Sequence, residues 1–369
     1  MSGAPGPRGE RAPGARPLAG YGRRVSIPLE PVPALDLPLA RALHDRAADH
    51  RTEADLLERL QADPGARALV LLGDRVAAAA DGSALALVAP ATLAATVPLG
   101  TPDVAGAAEL WAYLGEHAGT SYLALVLPAP HGGAAGEAPD GGPGGARATE
   151  PAPEALGLPA GTTWLGLRRL EGLDELELGL VTEAVALANW HAVHGFCPRC
   201  GAATEPVLSG WVRRCPVEDR ELYPRTDPAV IMAVVDDEDR LLLGHAAHWP
   251  EGRFSTLAGF VEPGESLEQA VRREVAEEAR LVVAPDLGDV VYRGSQSWPF
   301  PASLMLGFRA RVAGTGARPQ ADEVELTDVR WFTRDGLLAA VEAGEVLLPG
   351  HLSIARSLIE EWYGGRLPD

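Results

Sequence analysis

At 369 residues, 46% of them hydrophobic, the chain is long enough for two or three domains with cores of their own. A formal net charge of −19 excludes a broad electrostatic footprint for nucleic acid or anionic membrane, while leaving room for a local basic pocket. All 32 basic residues are arginine, so a catalytic lysine and a lysine-bearing phosphate loop of the GxxxxGK[ST] type are both excluded.

Residues 1–30 are rich in Gly, Pro and Arg, cannot bury much surface, and read as a disordered tail. Residues 31–190 read as a small α/β domain. Its pattern predicts a helix from about Leu39 to Leu60, then strands at Ala68–Leu72, Val76–Ala79 and Ala84–Val88, punctuated by Gly73-Asp74 and Asp81-Gly82. A helix over Ala107–Leu114 and a strand over Tyr122–Leu127 follow. Residues 131–153 are too poor in apolar side chains to pack and read as a flexible insertion. A strand over Trp164–Arg169 and a helix over Glu183–His194 close the domain; His191 and His194 read as surface or internally satisfied histidines rather than ligands.

Residues 195–225 hold all three cysteines. Cys197-Pro-Arg-Cys200-Gly201 has the spacing of a metal knuckle, and Cys215 follows 15 residues after Cys200. A closed tetrahedral zinc site needs a fourth ligand, for which Glu218 and Asp219 are the candidates. So few cysteines fit a reducing compartment rather than a disulfide framework. The N-terminus lacks the apolar core of a signal peptide, and the most hydrophobic run, Ala84–Leu99, is broken by Pro90 and Pro98. No membrane span and a cytoplasmic location are expected.

Residues 226–365 form the last domain. Strands are predicted at Ala229–Val235, Arg240–Leu243, Leu257–Phe260, Val290–Arg293, Leu304–Arg311 and Val329–Phe332, with a closing amphipathic helix over Leu352–Tyr363. With a helix from about Leu267 to Arg280 these make an α/β/α sandwich. Pro263-Gly264 marks the turn before that helix; Ser266 and Gln269 stand where a capping box places them. Glu274, Glu277 and Glu278 sit at i, i+3 and i+4, on one helical face, and Arg273 is one turn from Glu277. Carboxylates at this density repel one another unless a cation lies between them, and hard oxygen ligands suit Mg²⁺ or Mn²⁺. The segment Ser295–Met305, SQSWPFPASLM, carries two prolines around an aromatic pair and reads as a rigid loop. Trp298 and Phe300 would offer flat faces to a planar ring, and Gln296 and Ser303 hydrogen bonds that tell one ring from another.

The order Gly259, Glu265, Arg273, Glu274, Val275, Glu277 and Glu278 resembles the G-x5-E-x7-R-E-[apolar]-x-E-E signature of the Nudix hydrolases. Arg280 stands where that family usually has glycine. SQSWPFPAS is similar to the SQPWPFPxS motif of the NADH pyrophosphatases, with Ser297 for proline, and the order ribbon, YPR, Nudix box, motif is also theirs. Their ribbon would carry a further cysteine where this chain has Glu218.

The resemblance implies a Nudix α/β/α sandwich with a mixed sheet, preceded by a ribbon and a smaller N-terminal α/β domain. It implies Mg²⁺ or Mn²⁺ held by Glu274, Glu277, Glu278, Glu325 and the Ala258 carbonyl, with Glu277 ligating or orienting the attacking water and with Glu265 and Arg273 completing the catalytic set. Zinc would sit on Cys197, Cys200, Cys215 and Glu218. The dinucleotide would lie against Tyr223, Phe260, Gln296, Ser297, Trp298, Pro299, Phe300, Pro301, Ala302, Ser303, Met305 and Ala355. A homodimer is implied as well. The expected reaction is hydrolysis of the diphosphate of NAD(H) to AMP and nicotinamide mononucleotide, with NAD-capped RNA as a further substrate. The alternatives are a catalytically weak nucleotide-binding regulator on the same fold and a broad ADP-ribose or dinucleotide diphosphatase.

Overall fold

The computed structural model describes residues 35–94, 109–128, 150–170, 172–312, 314 and 316–369. The expected tail, and all of the expected insertion except its last four residues, lie outside the described residues. Those last four are packed: Glu150 accepts two hydrogen bonds from Arg75, at 2.7 and 3.1 Å, the Pro151 carbonyl accepts from Trp164 Nε1, and Pro153 is buried.

The N-terminal half is built on a five-stranded sheet. Its strands are β1 (Arg67–Leu72), β2 (Arg75–Ala79), β3 (Leu110–His117), β4 (Thr120–Leu127) and β5 (Thr162–Gly166), in the order β3-β4-β1-β2-β5. Helices α1 (Leu56–Ala62) and α2 (Pro90–Ala94) belong to the same half, which ends in α3 (Glu175–Val193). Alternation along β1 decides what each face covers: Ala68, Val70 and Leu72 pack with Leu56, Leu60 and Leu93 of α1 and α2. Leu69 and Leu71 face Leu180, Val181, Ala184 and Val185 of α3.

Four local expectations fail here, each because tertiary pairing outweighs local pattern. Residues 39–60 form two short 3₁₀ turns and only the short α1, because Asp45 pairs with Glu116 at the edge of β3. The expected helix ending at Leu114 is instead β3, whose buried run is held in register by β4, Leu110 opposite Val126 and Trp111 opposite Leu125. Ala84–Val88 makes two isolated bridges rather than a strand. Trp164–Arg169 is strand only to Gly166, after which 167–169 turn as 3₁₀. In contrast, α3 begins earlier than expected, at Glu175, because the Asp174 side chain accepts from the Glu177 N–H as an N-cap.

The ribbon is three short strands, β6 (Glu205–Val207), β7 (Val212–Cys215) and β8 (Arg220–Leu222). Its β6–β7 turn docks on β3, where the Tyr113 N–H donates to the Ser209 carbonyl and Trp211 Nε1 to the Tyr113 carbonyl. Gly210 is needed at that contact: φ is +88° and a Cβ would come within 2.7 Å of Ala112.

The C-terminal half is a six-stranded mixed sheet of β9 (Asp227–Val235), β10 (Leu241–Ala246), β11 (Leu257–Phe260), β12 (Val290–Trp298), β13 (Ser303–Arg311) and β14 (Leu326–Phe332). Its order is β12-β13-β9-β10-β14, with β11 also on β9 and β13 parallel to β9. Helix α4 (Leu267–Ala279) covers Val230, Met232 and Val234, and α5 (Arg334–Glu342) and α6 (Ile354–Tyr363) cover Ala229, Ile231 and Ala233 on the other face. This is the α/β/α sandwich expected; α5 was not anticipated. Ser295–Met305 is no free loop, since β12 runs to Trp298 and β13 starts at Ser303, leaving a turn of Pro299, Phe300, Pro301 and Ala302. Both prolines fall inside the turn, where no ladder N–H is needed.

Candidate active site and metal centres

Helix α4 begins as its sequence dictates. Ser266 accepts from the Gln269 N–H, and the Gln269 side chain accepts from the Ser266 N–H, a reciprocal capping box. The face turned to the sheet carries Val271 and Val275, and with them Glu274 and Glu278, 8% and 5% exposed. Glu277 lies on the open side. The three glutamates therefore do not share one face: two are driven into the α4–β11 seam and one is left at its rim.

Arg273 organises that rim. It donates to both oxygens of Glu265 at 2.7 and 2.9 Å, to Glu274 at 2.6 Å, to Glu277 at 3.0 Å and to the Phe260 carbonyl at 2.9 Å. Glu265 also accepts from the Glu262 N–H, so the loop before α4 is tied at both ends. The Arg273 hydrogen bond, then the Glu262 N–H, holds the Glu265 carboxyl below its usual range. The positive charge between Glu274 and Glu277 is thus a guanidinium, which makes Arg273 and Glu265 positioning residues. Gly259 is the other fixed point, since a Cβ there would overlap the Glu274 carboxylate. Only glycine leaves space for a carboxylate against the β11 backbone.

Glu278 sits deeper. Burial first, then the charges of Glu274, Glu325 and Asp322, push its carboxyl up to about 8, against a hydrogen bond from the Ala258 backbone. Its Oε2 is buried with no partner. Burial also raises Glu274, opposed by Arg273 and assisted by Glu277 and Glu325. Asp322 was missed in the sequence. It accepts from the N–H groups of Val324, Glu325 and Leu326, which fixes the loop carrying Glu325. The signal was there in Asp-x-x-Glu, a short acidic side chain able to close a turn over the amides two to four residues on.

An orphaned buried carboxylate oxygen, a second buried carboxylate cradled by a glycine, and further acids within electrostatic reach are a donor set that fits a hard divalent cation. The acids are spread rather than closed: among the described residues, Cys197, Cys200 and Cys215 alone form a group whose ligand atoms all lie within 4.8 Å of one another.

That second centre is built by the knuckle. Backbone N–H groups of Cys200 and Arg199 lower the Cys197 thiol, Cys200 and Cys215 sulfurs are 3.5 Å apart, and Glu218 Oε2 is 3.8 Å from Cys197 Sγ. Sulfurs on one tetrahedral zinc are separated by about 3.8 Å, so the donors fit zinc. Asp219 bonds Arg214 at 2.7 Å instead, and Glu218 is the carboxylate that faces the thiols. His191 is satisfied, between the Gly210 carbonyl at 2.8 Å and Arg213 at 3.0 Å, and burial lowers it to about 4. His194 bonds the Trp190 carbonyl.

The expected dinucleotide contacts divide by exposure. Tyr223, Phe260 and Pro301 are open to solvent; Ser297, Trp298, Phe300 and Ala302 are half-buried; Gln296, Pro299, Ser303, Met305 and Ala355 are buried. Two expectations are corrected. Gln296 does not face open space: it is 1% exposed and donates to the Leu352 carbonyl at 2.9 Å. Ser303 is a strand residue paired with Trp298 and Asp227. Trp298 and Phe300 pack edge to face, centroids 5.0 Å apart, against the core beneath β1 and α3.

An α/β/α sandwich in which a strand-loop-helix segment brings Gly259, Glu265, Arg273, Glu274 and Glu278 together is the Nudix arrangement, and residues 225–348 match the NUDIX domain. Residues 193–223 match the NADH pyrophosphatase zinc ribbon domain, so a region similar to that ribbon stands directly before the region similar to the NUDIX domain. The NAD-capped RNA hydrolase NudC of Mycobacterium tuberculosis is 46% identical over 205 residues, 53% of this chain and 63% of that protein. The human NAD-capped RNA hydrolase NUDT12 is 41% identical over 202 residues, 52% of this chain and 42% of that protein. The chain thus spans less than two thirds of either relative. A crystal structure of a NUDIX hydrolase from Nitrosomonas europaea matches 47% of this chain and 96% of that one, at 23% identity and a TM-score of 0.32.

Proposed function

We propose that the chain hydrolyses the diphosphate bond of NAD(H), giving AMP and nicotinamide mononucleotide, and that it acts on the same bond in NAD-capped RNA. The observation that carries this is Glu278: a carboxyl group buried against the Ala258 backbone, one oxygen unpartnered, among Glu274, Glu325 and Asp322. Such a placement is unfavourable for folding and is explained by a cation it serves. Glu274, Glu278 and Glu325, with the Ala258 carbonyl, would hold Mg²⁺ or Mn²⁺, which would neutralise phosphate oxygens and activate water.

Glu277, open to solvent and paired with Arg273, would take a proton from the attacking water and pass it to bulk. Arg273 and Glu265 keep Glu274 and Glu277 apart and oriented. Phe260 and Tyr223 present exposed rings for a base. The two relatives named NAD-capped RNA hydrolases support the substrate class. Zinc on the three thiols with Glu218, assembly as a homodimer and a cytoplasmic location complete the reading.

The test is diphosphate hydrolysis under a metal titration, read as AMP release from NADH, NAD⁺ and ADP-ribose and as release of nicotinamide mononucleotide from NAD-capped RNA, whose adenylate stays on the RNA as its 5′-phosphate. Glu277→Gln and Glu278→Gln are expected to lower turnover by about two to three orders of magnitude, the equivalent of several kcal/mol of charge stabilisation, with the fold retained. Full activity in either variant refutes the assignment. Nucleotide binding without AMP release would make the chain a regulator, and ADP-ribose preferred over NADH would make it a broad diphosphatase.

A further inference from the structure

The ribbon holds three thiols where a tetrahedral site closed on sulfur alone needs four, and the carboxylate that faces them is Glu218, 3.8 Å from Cys197 Sγ. A carboxylate oxygen is a harder donor than a thiolate, and so the weakest of the four for zinc. Glu218 is half-buried, is shared with Arg199 at 3.4 Å, and lines with it an open cavity of about 630 Å³, so solvent reaches that corner of the site. The thiols themselves differ in access. Cys197 and Cys215 are buried, and Cys200 is exposed. The Cys197 sulfur accepts from the backbone N–H groups of Cys200 and Arg199 and faces Glu218, whereas the Cys200 sulfur lies 3.5 Å from that of Cys215. An accessible thiol with a buried one at that distance has the layout of an oxidation site and its resolving partner.

We infer that Cys200 and Cys215 are a peroxide-sensitive pair whose oxidation to a disulfide empties the ribbon of zinc and weakens base binding at Tyr223. The inference rests on the reading of the thiols as a zinc site and of Tyr223 as a base contact. The Cys200 sulfur attacks one peroxide oxygen, the O–O bond breaks, and a sulfenic acid and hydroxide form. The Cys215 sulfur then attacks the sulfenic sulfur, the S–S bond forms, and the second oxygen leaves as hydroxide. Two thiolates have lost two electrons, the peroxide has gained them, and both hydroxides take protons from solvent. Cys197 and Glu218 are then the donors that remain, too few for a tetrahedral ion. The disulfide also draws the two sulfurs from 3.5 Å to about 2 Å apart. Cys215 ends β7 and is the register partner of Arg220, where β8 starts, and β8 ends at Leu222, the residue before Tyr223. The hairpin that shifts with Cys215 therefore leads straight into the exposed Tyr223 ring.

The experiment treats full-length, zinc-loaded protein with hydrogen peroxide. It follows zinc release with a chromogenic chelator, the disulfide by peptide mass after alkylation, and AMP release from NADH. Wild type is expected to lose its zinc in step with formation of a Cys200–Cys215 disulfide while KM for NADH rises several-fold, and to regain both zinc and KM when a thiol reductant and zinc are added. Cys200→Ser is expected to show the same KM before and after peroxide. If that variant does not fold, the disulfide mapped in wild type decides alone. Zinc retained and thiols intact at a peroxide dose that consumes free cysteine in the same tube overturns the pair. So does a Cys197–Cys200 disulfide, an unchanged wild-type KM after oxidation, or a peroxide response that persists in Cys200→Ser. Wild type that releases no AMP before oxidation ends the proposed activity and leaves the pair to be judged on zinc release and the disulfide. Wild type that takes up no zinc overturns the pair and leaves the activity to its own assay.

Discussion

Glu278 is a carboxyl group set where ionisation is costly. In the unfolded chain it loses its proton near the ordinary value of 4.5; in the folded protein burial and neighbouring acids hold the proton to about 8. The stability it contributes is therefore fully present below pH 4.5 and is lost as pH rises to about 8. Glu278→Gln, which cannot ionise, removes that dependence. Urea unfolding without metal is expected to show the variant more stable than wild type above about pH 8 and nearly equal below pH 4.5. Adding Mg²⁺ should stabilise wild type most at the alkaline end, where the proton is already gone, and should do much less for the variant. A wild-type midpoint that rises with pH across this window would contradict the burial of Glu278. The sequence could place Glu274 and Glu278 one turn apart, but not say which side of α4 faced the sheet. Glutamate patterns as a solvent residue, and only Val271 and Val275 on the same side reveal the burial.

Among elements, α4 was the most legible because its signals are local: a turn at Pro263-Gly264, a capping box and an apolar spacing all lie within the segment itself. Its C-terminus shows the cost of a departure. Arg280 adopts φ 56° and ψ 30°, its N–H reaching the Ala276 carbonyl and the Leu281 N–H that of Val275. A left-handed conformation costs a residue with a Cβ about 1–2 kcal/mol, and glycine gives back part of this through its looser unfolded state. Arg280→Gly is expected to raise stability by about 1 kcal/mol, read as a higher urea midpoint with an unchanged slope, and to leave kcat unaltered because the Arg280 side chain is exposed. A lower midpoint would mean that the side chain makes a contact worth more than the strain. The elements that misled were those decided at a distance. β3 is a strand because β4 lies beside it, and β12 continues through Ser295-Gln296-Ser297 because β13 receives it, facts that no window of a dozen residues contains.

At the scale of the whole molecule, the ribbon is the joint between the two sheets and the part least able to hold itself. A segment of this size cannot bury enough apolar surface to fold unaided, and small domains of that kind depend on a metal. Here Cys197, Cys215 and Val212 are its buried side chains of that sort; apart from the internal Arg213–Thr204 hydrogen bond, its support comes from outside, with Trp211 and Ser209 on β3 and Arg213 on His191 of α3. Those outside contacts tie ribbon order to the N-terminal sheet, so loosening the ribbon loosens the seat of α3 as well. Zinc analysis of the purified chain is expected to give one ion per chain, and Cys215→Ser to lose it together with several degrees of thermal stability. Glu218→Cys is the informative counterpart. It replaces a hard oxygen, shared with Arg199 at 3.4 Å, by a soft thiolate beside three others, and should tighten zinc so that a chelator strips it more slowly than from wild type. If wild type holds no zinc and chelation moves neither melting nor activity, the outside contacts alone keep the ribbon in place. Glu218 is then only the partner of Arg199.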